Sequence, residues 1–211
     1  MKTKIFLSTW KAELADKNFR NLFFVTVIAT SITLVLFTNY RIYNETRIGV
    51  EIPDPFLSIF PPIDLTWSTF ILIYLGLITG LYFLIQKPRL LVHALLTYTI
   101  LVSFRMLLMY SLPLESPHDI ISLRDPFVEQ FGAGTPLDKD YFFSGHTATM
   151  FMLFLLSYKS KMKWTFLVGS ILVGLSVILQ HTHYTVDVLV APLVAYASYR
   201  IALHIKEYAL N

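Results

Sequence analysis

The chain of 211 residues contains no cysteine and only 15% charged residues. Without cysteine there is no disulfide framework, no thiol nucleophile and no thiolate metal site. A typical soluble domain carries about 25% charge. The shortage here comes with 55% hydrophobic residues and a mean hydropathy of +0.59. Together these exclude a disordered chain, a nucleic-acid module and a cytosolic globule, and leave an integral membrane protein. Repeats, low-complexity tracts and long linkers are also lacking. So is the short apolar run with a small-residue cleavage site that a signal peptide needs, because the first twenty residues are charged and amphipathic.

What is present is a series of apolar segments. A bilayer core takes about 20 residues of helix. Six segments approach that length: Phe19–Tyr40, Thr66–Ile85, Leu90–Leu112, the short Tyr141–Tyr158, Trp164–Leu179 and Tyr184–Leu203. The segments between them alternate in charge. Twelve of the seventeen basic residues fall in the N-terminal stretch, at Lys87/Arg89, at Lys159/Lys161/Lys163, and at Arg200 and Lys206. Ten of the fourteen acids fall in the opposite segments, near residues 41–65 and 113–140, among them Glu51, Asp54, Glu115, Asp125, Glu129, Asp138 and Asp140. The positive-inside rule then predicts an all-α integral membrane fold of six transmembrane helices with both termini cytoplasmic. Residues 1–18 are expected to lie on the inner leaflet as an amphipathic segment, 19–205 to form the membrane domain, and 206–211 to be a cytoplasmic tail. The net charge of +3 is a topology signal rather than a sign of nucleic acid.

Ionisable residues inside spans are costly and call for a reason. His93, close to Lys87 and Arg89, reads as an interfacial residue. The others gather at one depth. Arg105 falls about two turns below the outer end of the third span, His146 opens the fourth, and His181, His183 and Asp187 open the sixth. His183 and Asp187 are four residues apart and share a helix face. A carboxylate so placed fixes one ring nitrogen and leaves the other as nucleophile or base. Ser144 is a candidate N-cap, Gly145 permits close backbone approach, and free N–H groups at a helix start favour phosphate. Arg105 adds a permanent charge for the same oxygens. Each element alone has a bland explanation, Arg105 neutralising Asp187 being one, but the set at one depth points to a site. Zinc is disfavoured because a cation site does not accommodate a neighbouring guanidinium.

Two stretches, FSGHTAT (143–149) and HTHYTVDVLVA (181–191), closely resemble the second and third motifs of the sphingomyelin synthase family. That family is the lipid-phosphotransferase branch of the type 2 phosphatidic acid phosphatase superfamily. IPDPF…PPIDLTW (52–67) and FRMLLMYSLPLESPH (104–118) are similar to two further family segments, so the resemblance runs from Ile52 to Arg200.

The resemblance implies metal- and cofactor-free phosphoryl transfer in two displacements at the non-cytoplasmic face. His183 is the implied nucleophile, Asp187 orients it, and His146 is the acid and then the base. Arg105, Ser144 and Gly145 hold the phosphate, with His181 and Tyr184 in support. The implied partners are a phospholipid donor and a lipid-alcohol acceptor (ceramide or diacylglycerol) in the bilayer, with no nucleic acid. A bacterial inner membrane or a Golgi or plasma membrane fits equally. The phosphatase branch has a Lys, an Arg-Pro and a Ser-Arg where this chain has Tyr98, Arg105-Met106 and Ser176-Val177. One cation in place of three suits a phosphodiester donor better than a monoester. A lipid phosphatase or phospholipase C-like hydrolase would use the same histidines, and a non-catalytic anionic-lipid transporter or scaffold would use Arg105 alone.

Overall fold

Seven α-helices and no strand are found among the residues that the computed structural model describes, which are 2–117, 119–123 and 139–211. Met1, His118 and residues 124–138, including Arg124, Asp125, Glu129 and Asp138 of the second acidic loop, lie outside the described residues. The helices are α1 (Lys2–Ala15), α2 (Lys17–Glu45), α3 (Thr66–Ile85), α4 (Pro88–Ser111), α5 (Gly145–Leu156), α6 (Lys163–Leu179) and α7 (Thr185–Leu210).

Local chemistry sets the boundaries. The Asp16 carboxylate accepts a hydrogen bond from Asn18 N at 2.9 Å and starts α2 afresh after α1. Asp64 does the same for Thr66 N at the start of α3, at 3.0 Å. Pro88 occupies the first turn of α4, where its missing N–H costs nothing. The last helix continues to Leu210, so residues 206–210 extend α7.

Helices α2, α3, α4 and α7 are long and apolar enough to cross a membrane, while α5 and α6, at 12 and 17 residues, are apolar but shorter. All six expected helices are present, and the fourth starts four residues later than its apolar segment. Their outer faces fit a multi-pass membrane protein. On α2, Val25, Ile28, Ile32 and Val35 are each more than half exposed, and so are Ile71, Leu75, Ile78 and Tyr82 on α3. Spacings of three and four residues put each set on one helical stripe. Water does not tolerate stripes of this size, but hydrocarbon does.

Inside, α5 packs against α6 and α7, and α4 packs against α2 and α7. Met150 of α5 sits between two glycines: a Cβ at Gly76 or at Gly169 would lie 2.6 Å from its Cε. Small residues thus bring α3 and α6 close to α5, a usual device of membrane helices. Between α2 and α4, the hydroxyls of Thr30 and Thr99 meet at 2.8 Å.

Phe19, Leu22 and Val92 form a small core, with Leu14, Ala209 and Leu210 packed on it, so the α1–α2 junction and the end of α7 lie at one end of the bundle. Trp10 Nε1 donates to Ile85 O at 2.9 Å, and Glu13 pairs with Arg89 at 2.7 Å, fastening α1 to the basic α3–α4 turn at that end. His93, read as interfacial, is packed inside the protein: it is 2% exposed, with Nε2 3.1 Å from Tyr199 O and its ring 4.6 Å from that of Tyr199. The sequence neighbours Lys87 and Arg89 suggest water, but the packing of α4 on α7 removes it.

Candidate active site

The other end of the bundle collects the polar residues. Ser144 caps α5, its hydroxyl accepting from Thr147 N at 3.4 Å and from Thr147 Oγ1 at 3.0 Å. Its own N–H donates to Asp187 O at 3.1 Å, which sets the first turns of α5 and α7 side by side. His146 follows in that first turn of α5 and is half-buried.

The start of α7 is capped from a distance. Thr185 N and Oγ1 donate to the Asp54 carboxylate at 2.6 and 3.1 Å, and Phe56 N adds a bond at 3.0 Å. Burial alone would raise the Asp54 pKa, but these bonds outweigh it and hold the carboxyl below its usual range. The proline-rich segment is therefore a strap that fixes the turn carrying His183.

His183 and Asp187 meet as their spacing predicts, Nδ1 to Oδ2 at 3.0 Å, with the ring 6% exposed and the carboxylate fully buried. An ionised carboxylate only accepts, so Nδ1 carries the proton of that bond and Nε2 is left as the nitrogen available for the chemistry. Tyr141 packs edge-on to His183 at 5.8 Å and to Tyr184 at 5.9 Å. Tyr184 in turn donates to Glu115 O at 3.1 Å. His181 faces elsewhere: its ring lies 5.3 Å from Phe60, on the strap side.

Arg105 does not neutralise Asp187. It pairs with Asp140, Nε to Oδ1 at 3.1 Å and Nη2 to the same oxygen at 2.9 Å, and Nη2 also donates to Asp140 O at 3.2 Å. With two of its nitrogens so engaged, the guanidinium is held against the opening turn of α5. A Cβ on Gly145 would collide with Nη1 and lie 2.7 Å from Cζ. Glycine is required here by the arginine and not by a turn. The two residues before Ser144 carry the chain around this corner with positive φ, 64° at Phe142 and 94° at Phe143. His181 is also left-handed, at 57°. Such conformations in bulky residues are held by their surroundings and cluster at functional sites.

Asp140 was not among the sequence candidates, and neither was Arg41, whose Nε lies 3.4 Å from the second oxygen of Asp140. Burial opposes the charge on Asp140, but Arg105 and Arg41 outweigh it and keep the carboxyl below the usual range. The neighbouring Lys139 is stapled in place. Its N–H donates to Glu45 at 2.7 Å, its ammonium meets Glu115 at 2.8 Å, and its carbonyl accepts from Asn44 at 2.6 Å. A position directly before YFFSGH was the available signal for Asp140. Arg41 gave none, since it stands at the end of an apolar segment like any flanking basic residue.

The assembly thus has an oriented imidazole, a second histidine at a helix start, and guanidinium charge against backbone N–H groups. That is a set suited to a tetrahedral anion under nucleophilic attack. Residues 139–205, about a third of the chain, match the family described as PAP2 superfamily C-terminal. The match supports a place in the type 2 phosphatidic acid phosphatase superfamily. It covers Ser144, Gly145, His146, His183 and Asp187 and leaves Arg105 and Arg41 outside. No curated protein matches the chain.

Proposed function

We propose that the protein is a sphingomyelin synthase-like phosphotransferase, moving a phospho-headgroup from a glycerophospholipid to a lipid alcohol such as ceramide or diacylglycerol. The observation that carries this is the buried His183–Asp187 pair, 3.0 Å apart, at the junction of α5 and α7. His183 Nε2 attacks the donor phosphorus and forms a P–N bond while the P–O bond to the glycerol oxygen breaks. His146 gives its proton to that departing diacylglycerol oxygen. In the second step His146 takes the proton of the acceptor hydroxyl, whose oxygen attacks phosphorus as the P–N bond breaks. Acid–base assistance of this kind contributes typically about 10²–10⁴-fold. Arg105 and the N–H groups near Gly145 hold the non-bridging oxygens through both steps.

A cavity of about 780 Å³ lies on the strap side, lined mostly by apolar residues and by none of the catalytic ones, with Glu51, Asp54, Asp119, His181 and Tyr184 on its wall. Its carboxylates suit the amine of a zwitterionic headgroup. The basic residues at the opposite end of the bundle support cytoplasmic termini and a site on the other face.

The test is a radiolabelled-headgroup assay on purified protein in mixed micelles, with and without ceramide, beside His183→Ala. Label moving to ceramide with the unmutated protein alone is the expected result. Free phospho-headgroup, indifferent to ceramide, would instead make the protein a hydrolase with the same histidines.

A further inference from the structure

The sequence gives the site one cation, Arg105, but the structure gives it two, with a carboxylate between them. Arg105 and Arg41 come from α4 and α2 and meet on opposite oxygens of Asp140, at 2.9 and 3.4 Å. The Nε of Arg41 is buried and makes no hydrogen bond among the described residues. The Arg41 side chain is 19% exposed, and because it shares the one carboxylate of Asp140 with Arg105, its charge is only partly matched by that ion pair.

The three groups sum to one net positive charge. A phosphodiester carries one negative charge, whereas a phosphomonoester carries close to two near neutral pH. We infer that Asp140 and Arg41 are specificity-determining residues: with Arg105 they set the cradle at one net positive charge and so favour a diester phosphate over a monoester. This rests on the phosphoryl-transfer function proposed above. Asp140 acts through the arginines. Its carboxylate aims Arg105 at Gly145 and subtracts one charge from what the substrate feels. The loop that presents it is fixed by the three contacts of Lys139.

Substituting Asp140→Asn keeps the shape and raises the cradle by one charge, and Arg41→Gln lowers it by one. The measurement is kcat/KM for phosphatidic acid divided by kcat/KM for a zwitterionic glycerophospholipid. Asp140→Asn is expected to raise this ratio about tenfold, the scale of one screened unit-charge interaction, and Arg41→Gln to lower it by a similar factor. Asp140→Glu should restore the wild-type ratio. If Asp140→Asn does not fold, Asp140→Glu and Arg41→Gln still decide.

The same ratio is then read without turnover, from thermal shifts by hydrogen phosphate and by dimethyl phosphate at pH 8. Should the wild type turn over neither lipid, the proposed function fails, and the ion-binding ratio alone judges the charge count. A ratio unmoved by Asp140→Asn and by Arg41→Gln, with both substrates weakened together, would overturn the inference and leave Asp140 a structural anchor. Binding of neither ion would overturn it as well.

Discussion

Helix α4 carries two buried ionisable residues that differ in what surrounds them. His93 is 2% exposed and Arg105 is 7% exposed. Among the described residues the His93 side chain bonds to a backbone carbonyl of α7, and the ring fills space against Tyr199. Arg105 sits twelve residues further along α4, about 18 Å by helical rise, among Asp140, Arg41, two aromatic rings and the opening turn of α5. Burial is therefore no mark of a site in this protein. What separates the two is the number of independent helices that bring charge or a free backbone N–H to the same point. Three do so at Arg105, counting α2 and α5 with α4 itself.

The most severe way to sharpen the contrast is His183→Ala. Loss of the nucleophile should lower headgroup transfer by about 10⁴-fold or more, with the melting temperature in detergent nearly unchanged. Activity retained within tenfold would remove His183 from the chemistry. Gly145→Ala comes next. The added methyl meets the Arg105 guanidinium, and neither the helix backbone nor the Asp140-clamped side chain can yield without cost. Transfer should fall by about 10²–10³-fold, the loss seen when one donor to a developing oxyanion is displaced. A Gly145→Ala enzyme at wild-type rate would mean that Arg105 does not work from that turn.

Legibility in the sequence follows the range of each interaction. The His183–Asp187 pair and the Ser144 cap are contacts within four residues, and helical geometry alone places them. The helices were visible as apolar runs, yet the start of the fourth was not. Tyr141, Phe142 and Phe143 look like membrane residues, and nothing in three aromatics announces positive φ at two of them. Asp140 looked like one loop acid among ten. Its meaning comes from α2 and α4, and such distant pairings leave no local pattern. His93 shows the same limit, because its charged neighbours in the chain give its place near a helix end and not its burial against Tyr199. The branch of the superfamily was expected from short motifs, and the match over residues 139–205 stops at the superfamily.

Smaller effects test the structural side of the comparison. His93→Leu keeps the volume filled and leaves one carbonyl lone pair without its partner. It should cost about 1–2 kcal/mol of stability and leave the ratio of transfer to phosphate binding untouched. A kcat lowered tenfold at unchanged stability would make His93 part of the site and erase the contrast along α4.

The smallest effect expected is at Asp54, and its pH dependence identifies the cause. Asp54→Ala removes the cap on Thr185 from the start of α7, which should cost about 1 kcal/mol at neutral pH. Because the bonds from Thr185 and Phe56 depress the Asp54 pKa in the folded protein, folding favours the ionised carboxylate. That contribution is complete at any pH above the ordinary carboxylate value, and it is lost as pH falls through the depressed one. The stability gap between wild type and Asp54→Ala should therefore be equal at pH 7 and pH 5 and narrow toward pH 3 in thermal unfolding. A gap that widened on acidification would mean that Asp54 is protonated more readily in the fold than out of it. The strap would then be held by its prolines and aromatics, and the His183 turn would owe its position to α5 alone.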